Sequence, residues 1–383
     1  MKVYHLLLGA ALCCSFTSCF KDEPLNAECD IEQAYVHVDD PTTIFYSNTD
    51  TLVNVLSDAD GITFRIKAGS DVSAMAPIFR LTEGATISPA NGSTQDFSDG
   101  RTVTYTVTSQ DGSWQRQYKV SFTTYNPISK FDFENYKLVD GQNGGQYYQW
   151  SDLNPDGTEA GNWATGNGGF NISMGTAAPD EYPSSPAEGH TGQGVKLTTS
   201  DTGPLGNLPG MNMPIAAGNL FLGYFDVSKA LTQTMQATNF GLPFDRKPLR
   251  LTGWYKYRPG ALFIDRYKNE YPGRTDIGDI YAVLYRNHDD NGNSFVLHGD
   301  DVKTSKYIVA MAQVPEILTT DDWTHFDVEF TYSADIDDET LLNQGYSLAV
   351  VCTSSIEGAT FSGAIGSTLY VDEIEVIWDE TNE

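Results

Sequence analysis

This chain reads as all-β, and three observations carry that reading. Apolar and polar residues alternate with period two in one segment after another, turn clusters separate the segments, and sustained helical periodicity is nearly absent. The alternation is cleanest between residues 30 and 125. Ile62, Phe64 and Ile66 alternate with polar neighbours, as do Val103, Tyr105 and Val107, and Tyr118, Val120 and Phe122 repeat the pattern after Gln110-Asp111-Gly112-Ser113. Alternating strands joined through an Asp-Gly turn predict a hairpin with one buried face. Several such strands in about 95 residues predict an immunoglobulin-like β-sandwich over 30–126, in the role of a spacer.

Asn126-Pro127-Ile128-Ser129 is the predicted boundary, because Pro127 denies a backbone donor and the strand pattern restarts at Phe131-Asp132-Phe133. The second domain, 128–379, is longer and less regular. Strands are expected at 194–199, 249–257, 279–285, 307–314, 325–332, 346–353 and 368–377, with one or two helical turns at 338–343. Residues 141–169 are rich in Gly, Asn and aromatics and read as long loops over a scaffold. Many strands, long loops and roughly 250 residues predict a jelly-roll β-sandwich.

The first residues read as a secretory leader, 1–18. Lys2 supplies the positive start, Val3 to Cys14 an apolar stretch too short to span a bilayer, and Ser15-Phe16-Thr17-Ser18 the small residues before a cleavage site. Cys19 follows immediately and is the predicted lipidation site, opening a tether over 19–29. Acyl chains bury methylenes at about 0.8 kcal/mol each, so two or more anchor stably. Lys21-Asp22-Glu23 resembles the basic-acidic-acidic export tag of Bacteroidetes surface lipoproteins, which predicts an outer-membrane protein facing the extracellular surface.

Charge narrows the partners. The chain holds 51 acidic and 23 basic residues, a net charge of −28. Only Lys2 is lost with the leader. Such a field repels nucleic acid and anionic membrane surfaces but does not oppose a neutral glycan. Membrane contact is therefore expected through the lipid alone. Beyond the anchor only Cys29 and Cys352 remain, without metal-binding spacing, and Cys352 reads as a small core hydrophobe.

Four ordered blocks of the second domain are similar to a known family, the putative carbohydrate metabolism domain of Bacteroidetes surface lipoproteins. They are Ala217-Gly218-Asn219-Leu220-Phe221, Ala237-Thr238-Asn239-Phe240-Gly241-Leu242-Pro243-Phe244, Leu251-Thr252-Gly253-Trp254-Tyr255-Lys256-Tyr257, and Phe361 to Glu373. The resemblance covers about residues 128–379. It implies a jelly roll resembling carbohydrate-binding modules, an immunoglobulin-like domain before it, and a sugar pocket in the jelly roll.

Sugars are held by aromatic faces stacked on C–H surfaces and by amide or carboxylate groups that take hydroxyls in pairs. The candidates on that chemistry are Trp163 and Asn167 in a Gly-Asn loop, Asn219 and Asn239 in Gly- and Phe-flanked turns, and Trp254, Tyr257 and Arg258 at 254–258. On that strand Tyr255 is set opposite to Trp254 and Tyr257; one face must pack the core, and Trp254 and Tyr257 are the candidates for the pocket face. Asparagine in a turn also caps its own backbone, and arginine on an acidic protein also pairs locally. By analogy with jelly-roll binding modules, Glu134 on the first strand and Asp372 on the last would meet around a structural calcium. Two stretches, 289–293 and 152–157, look faintly like calcium loops but depart from the pattern and read as turns. No other cofactor is called for.

Catalytic signatures are missing: there is no Gly-x-Ser-x-Gly, no His-Glu-x-x-His and no phosphate-binding glycine loop. Glycosidases need only two carboxylates about 5–10 Å apart, and the sequence selects no such pair. The leading expectation is a surface lipoprotein that binds glycan and serves an outer-membrane glycan uptake system. The alternatives are a glycoside hydrolase on the same jelly roll, or an adhesive surface protein with no sugar site.

Overall fold

The computed structural model describes residues 25–379, apart from 46–47, 56, 58, 68–69, 125–127, 155–156 and 158. The predicted leader, Cys19, Lys21-Asp22-Glu23 and the Asn126-Pro127 boundary lie outside the described residues. The chain divides into two compact units, one ending at Tyr125 and the other beginning at Asn126. Among the described residues no helix is long and apolar enough to cross a membrane.

The first unit is the expected immunoglobulin-like sandwich. Val103–Thr108 and Gln115–Thr124 form the Asp-Gly hairpin, with Tyr105 opposite Tyr118. Asp111 shapes its turn by accepting from the Ser113 N–H (2.9 Å) and the Ser109 hydroxyl (2.6 Å). Gly61–Ile66 pairs in parallel with Gln115–Thr124, and Thr86–Ser88 completes that sheet. A three-stranded sheet of Leu52–Asn54, Ile31–Val36 and Pro77–Leu81 forms the other layer. The alternating residues read from the sequence (Ile62, Phe64, Ile66, Tyr105, Val107, Tyr118, Val120 and Phe122) are buried between them.

The second unit is a jelly-roll sandwich of two antiparallel sheets. One has six strands, ordered Ser184–Glu188, Gln193–Thr198, Thr368–Trp378, Pro248–Arg258 and Thr320–Glu329, with Lys130–Phe131 paired to Thr368–Trp378. The other has eight. Its path runs Trp163–Ala164, Asn219–Phe225, Tyr346–Thr353, Asp279–Arg286, Ile308–Gln313 and Thr331–Tyr332, joined by Thr238–Phe240 and Leu242–Phe244. The main core lies between the sheets and takes Leu251, Tyr255 and Tyr257 from one and Ile280, Leu284, Leu348, Val350 and Cys352 from the other.

The eight-stranded sheet is also covered on its far face. Tyr281, Val283 and Tyr285 alternate with the core residues of their strand and pack there with Phe221, Phe240, Leu297 and Val351. Burial on both faces is why Asp279–Arg286 and Tyr346–Thr353 are buried at seven of eight positions each. Period-two alternation cannot appear in such strands, since both faces need apolar groups. Cys352 is a fully buried free thiol in this core, and Cys29 is also free.

Part of the stretch expected to be loops is ordered structure. Gln146–Trp150 pairs with Tyr136–Asp140, and Asn167–Met174 is a helix. The short helix at Asp338–Leu342 was expected; Asp337 caps it by accepting from the Thr340 N–H at 2.7 Å.

Candidate functional site

The covering layer does not close completely over the eight-stranded sheet. Between them lies a cavity of about 510 Å³, within the usual size of small-ligand sites. Its floor follows from strand register. Asn219, Thr353 and Asp279 are cross-strand partners and make a polar row, while Phe221, Val351 and Tyr281, two residues along each strand, make an apolar row. Successive residues face opposite sides of a sheet, so the intervening Leu220, Cys352 and Ile280 belong to the core.

The walls come from the segments that cross this face. Phe170 projects from the helix Asn167–Met174; Leu205 and Met213, then Leu231 and Met235, then Phe361 complete the ring. Leu231 is 37% exposed and Ile356 45%, which places them at the mouth.

One ion pair dominates the electrostatics. Asp279, buried at the floor, accepts from the Lys303 ammonium and from Gln313 Nε2 at 2.9 Å. The same ammonium lies 4.2 Å from the Tyr281 ring centroid. Burial, with Asp279 beside it, holds the Tyr281 phenol protonated well above its ordinary range. Asn219 Oδ1 accepts the Gly166 N–H at 2.6 Å, which leaves the Nδ2 hydrogens as what this amide can offer a ligand.

Of the residues proposed from sequence, Asn219 alone lines the cavity. Trp163 is 2% exposed, set in a short strand rather than a loop; Phe131 and Phe133 pack against it edge-on and its indole N–H donates to Asp152 at 2.8 Å. It is a core residue, not a stacking platform. Asn167 is fully buried, clamping Ser184 through both backbone groups at 3.0 and 2.8 Å. Asn239 is buried and donates to the Ala237 carbonyl, so it ties its own backbone as turn asparagines do.

The assignment of strand faces at 254–257 is corrected. Tyr255 and Tyr257 share the core face, as residues two apart must, and the Tyr257 hydroxyl donates to the Ser354 carbonyl at 3.2 Å. Trp254 faces the other way, stacked on His190 with centroids 3.8 Å apart, and is not among the cavity residues. Arg258 is exposed and paired with Asp321.

Asp372, on the last strand, and Glu134, in the segment between Lys130–Phe131 and Tyr136–Asp140, both accept from amide donors. Asp372 Oδ2 accepts the N–H groups of His190 (2.7 Å) and Thr191 (3.1 Å), its Oδ1 that of Glu373 (2.8 Å), and Glu134 Oε1 that of Gln193 (2.8 Å). What they clamp is the turn 189–193. A Cβ on Gly192 would lie 1.7 Å from Glu134 Oε1, so position 192 takes no side chain against this carboxylate. Among the described residues no group of three His, Cys, Asp or Glu side chains is placed to hold a metal ion. Asp289 closes a turn by accepting from Asn291 and Asn293, and these bonds hold its carboxyl down to about 2.

The remaining site residues escaped sequence reasoning. Tyr281 and Val351 sit in strands recognised as strands but buried on both sides, where pattern does not say which face is which. One signal was available: Asp279 opens an otherwise apolar strand. Three of the four family-like blocks were the better guide, since Ala217, Asn219, Phe221, Ala237, Phe240 and Phe361 all line the cavity, while Leu251 to Tyr257 contributes nothing to it.

No curated protein matches this chain. A solved structure from Bacteroides thetaiotaomicron, described as a putative glycoside hydrolase, is 37% identical with a TM-score of 0.62, over 94% of this chain and 99% of its own. Another from Bacteroides vulgatus, described in the same words, is 34% identical with a TM-score of 0.60, over 66% of this chain and 98% of its own. Residues 43–122 match the domain model described as SGBP, N-terminal. Residues 132–377 match the model described as Putative carbohydrate metabolism domain, and the chain belongs to that family.

Proposed function

We propose that this protein is a lipid-anchored cell-surface protein that captures glycan at the cavity over its eight-stranded sheet, for polysaccharide uptake or metabolism. The observation that carries the reading is the floor. A row of Asn219, Thr353 and Asp279 lies beside a row of Phe221, Val351 and Tyr281 in one recess. Apolar and aromatic surface favours the C–H faces of a saccharide, and the adjoining polar row orients it. Family membership and the match of the first domain to a model named for surface glycan-binding proteins support the same reading. So does the predicted leader with Cys19.

The test is a glycan array probed with the wild type and with Ala359→Trp, which places an indole on an exposed cavity-lining position. Binding of at least one glycan, lost in the variant, is expected. An array without any ligand at millimolar affinity sinks the reading.

A hydrolase reading rests on a separate observation: Asp279 and Asp300 both line the cavity, and paired carboxylates are what glycoside hydrolysis requires. Reducing-sugar release from a bound glycan, abolished by Asp279→Asn or Asp300→Asn with binding retained, would move the assignment there.

A further inference from the structure

The cavity is more apolar than a site for a bare sugar ring needs to be. Its walls present Met213, Met235, Leu205, Leu231, Phe225 and Phe361. Several polar side chains in the lining are already engaged with the protein. The Ser173 hydroxyl donates to the Phe170 carbonyl (3.1 Å), Thr202 to the Met213 carbonyl (2.5 Å), Thr353 to the Ser355 carbonyl (3.2 Å) and Ser355 to Asp276 (2.6 Å). Asp279 is engaged by Lys303 and Gln313. The acceptors left in the lining include Asp300 and Thr304, which are exposed, so a hexose pressed down onto the floor would leave hydroxyls short of partners, and a buried polar group without a hydrogen bond is costly.

What remains for a ligand at the floor is donors: the Asn219 amide and the Lys303 ammonium, about the faces of Phe221 and Tyr281. Two methionines in the walls suit an irregular apolar shape. We propose that the cavity receives the apolar substituent of a decorated glycan, an aromatic or acyl group carrying one acceptor such as an ester carbonyl or carboxylate, while the saccharide lies at the mouth near Leu231 and Ile356. This rests on the glycan reading above and names the ligand class for it.

The experiment is calorimetric titration of the whole two-domain chain with matched methyl and 4-nitrophenyl glycosides of common neutral sugars, and with free ferulate and decanoate. The expected result is that a 4-nitrophenyl glycoside binds at least about tenfold more tightly than its methyl partner. That advantage disappears in Ala359→Trp and in Leu231→Trp, two rim variants whose folding is checked by thermal melting. Competition by ferulate identifies an aromatic substituent, and competition by decanoate an acyl one. Equal binding of methyl and 4-nitrophenyl forms, lost in both variants, overturns the inference and leaves the glycan reading standing. Binding of the free acids with no glycoside bound sinks the glycan reading and the decorated-glycan assignment with it. No binding of any probe at millimolar concentration also overturns the inference.

Discussion

Asp152 is 9% exposed and accepts from the Asn162 amide (2.6 Å) and the Trp163 indole (2.8 Å), both on Oδ2. Burial nevertheless pushes its carboxyl up to about 6, and Asp132 adds to the rise. Between the ordinary value of 3.8 and about 6 the folded state holds more of this proton than the unfolded one. Its contribution to stability therefore falls as pH rises through that window. Asp152→Asn keeps an acceptor for both donors and removes the buried charge. Urea unfolding should find the variant about 1–3 kcal/mol more stable near pH 8, with the gain shrinking steadily toward pH 4. A pH-independent difference would contradict the assignment of cost to burial of charge. Trp163→Ala, by contrast, empties the core between Phe131 and Phe133. It should lose about 3–5 kcal/mol of stability, while ligand affinity of the folded fraction stays at the wild-type value. A selective loss of affinity without loss of stability would restore Trp163 as a ligand residue.

At the scale of elements, the eight-stranded sheet depends on a close backbone approach. Gly223 has φ +136°, and a Cβ there would lie 2.1 Å from the Asn239 carbonyl oxygen, where Asn219–Phe225 pairs with Thr238–Phe240. Gly223→Ala combines backbone strain with that clash and should cost upwards of about 2 kcal/mol. Gly210→Ala, at φ +90° with nothing within 4 Å of the added Cβ, should cost only about 1 kcal/mol. Thermal melts of the two variants check the contrast, and equal destabilisation would contradict it. These elements also show what a sequence makes legible. Gly61–Ile66 and Val103–Thr108 have one buried face, so alternation alone located them and their core residues. Asp279–Arg286 could be recognised as a strand from its apolar run, yet Tyr281 and Ile280 look alike in sequence while one faces the cavity and the other the core. Trp163 was misread because a Gly-Asn-rich neighbourhood suggests a loop, whereas long-range pairing with Leu222 makes it a strand residue. Asn219 was found through its place in a family-like block, although the turn expected around it is the start of the strand Asn219–Phe225.

For the whole molecule, a net charge of −28 and one half-buried cation beside the cavity floor make a neutral or singly acidic ligand acceptable and a polyanion unacceptable. Affinity for a neutral glycan should change little between low salt and about 1 M salt, because no exposed charge pair is needed to hold it. A steep salt dependence in that titration would instead point to a charged surface site. The central claim is that the ligand enters the recess over the eight-stranded sheet and not the outer face of the six-stranded one, where Trp254 stacks on His190. The most direct measurement titrates one array-selected glycan against wild type, Ala359→Trp and Trp254→Ala, each verified as folded. The account predicts at least a tenfold loss of affinity (about 1.4 kcal/mol) in Ala359→Trp and wild-type affinity in Trp254→Ala. Loss in Trp254→Ala with Ala359→Trp unaffected would contradict it.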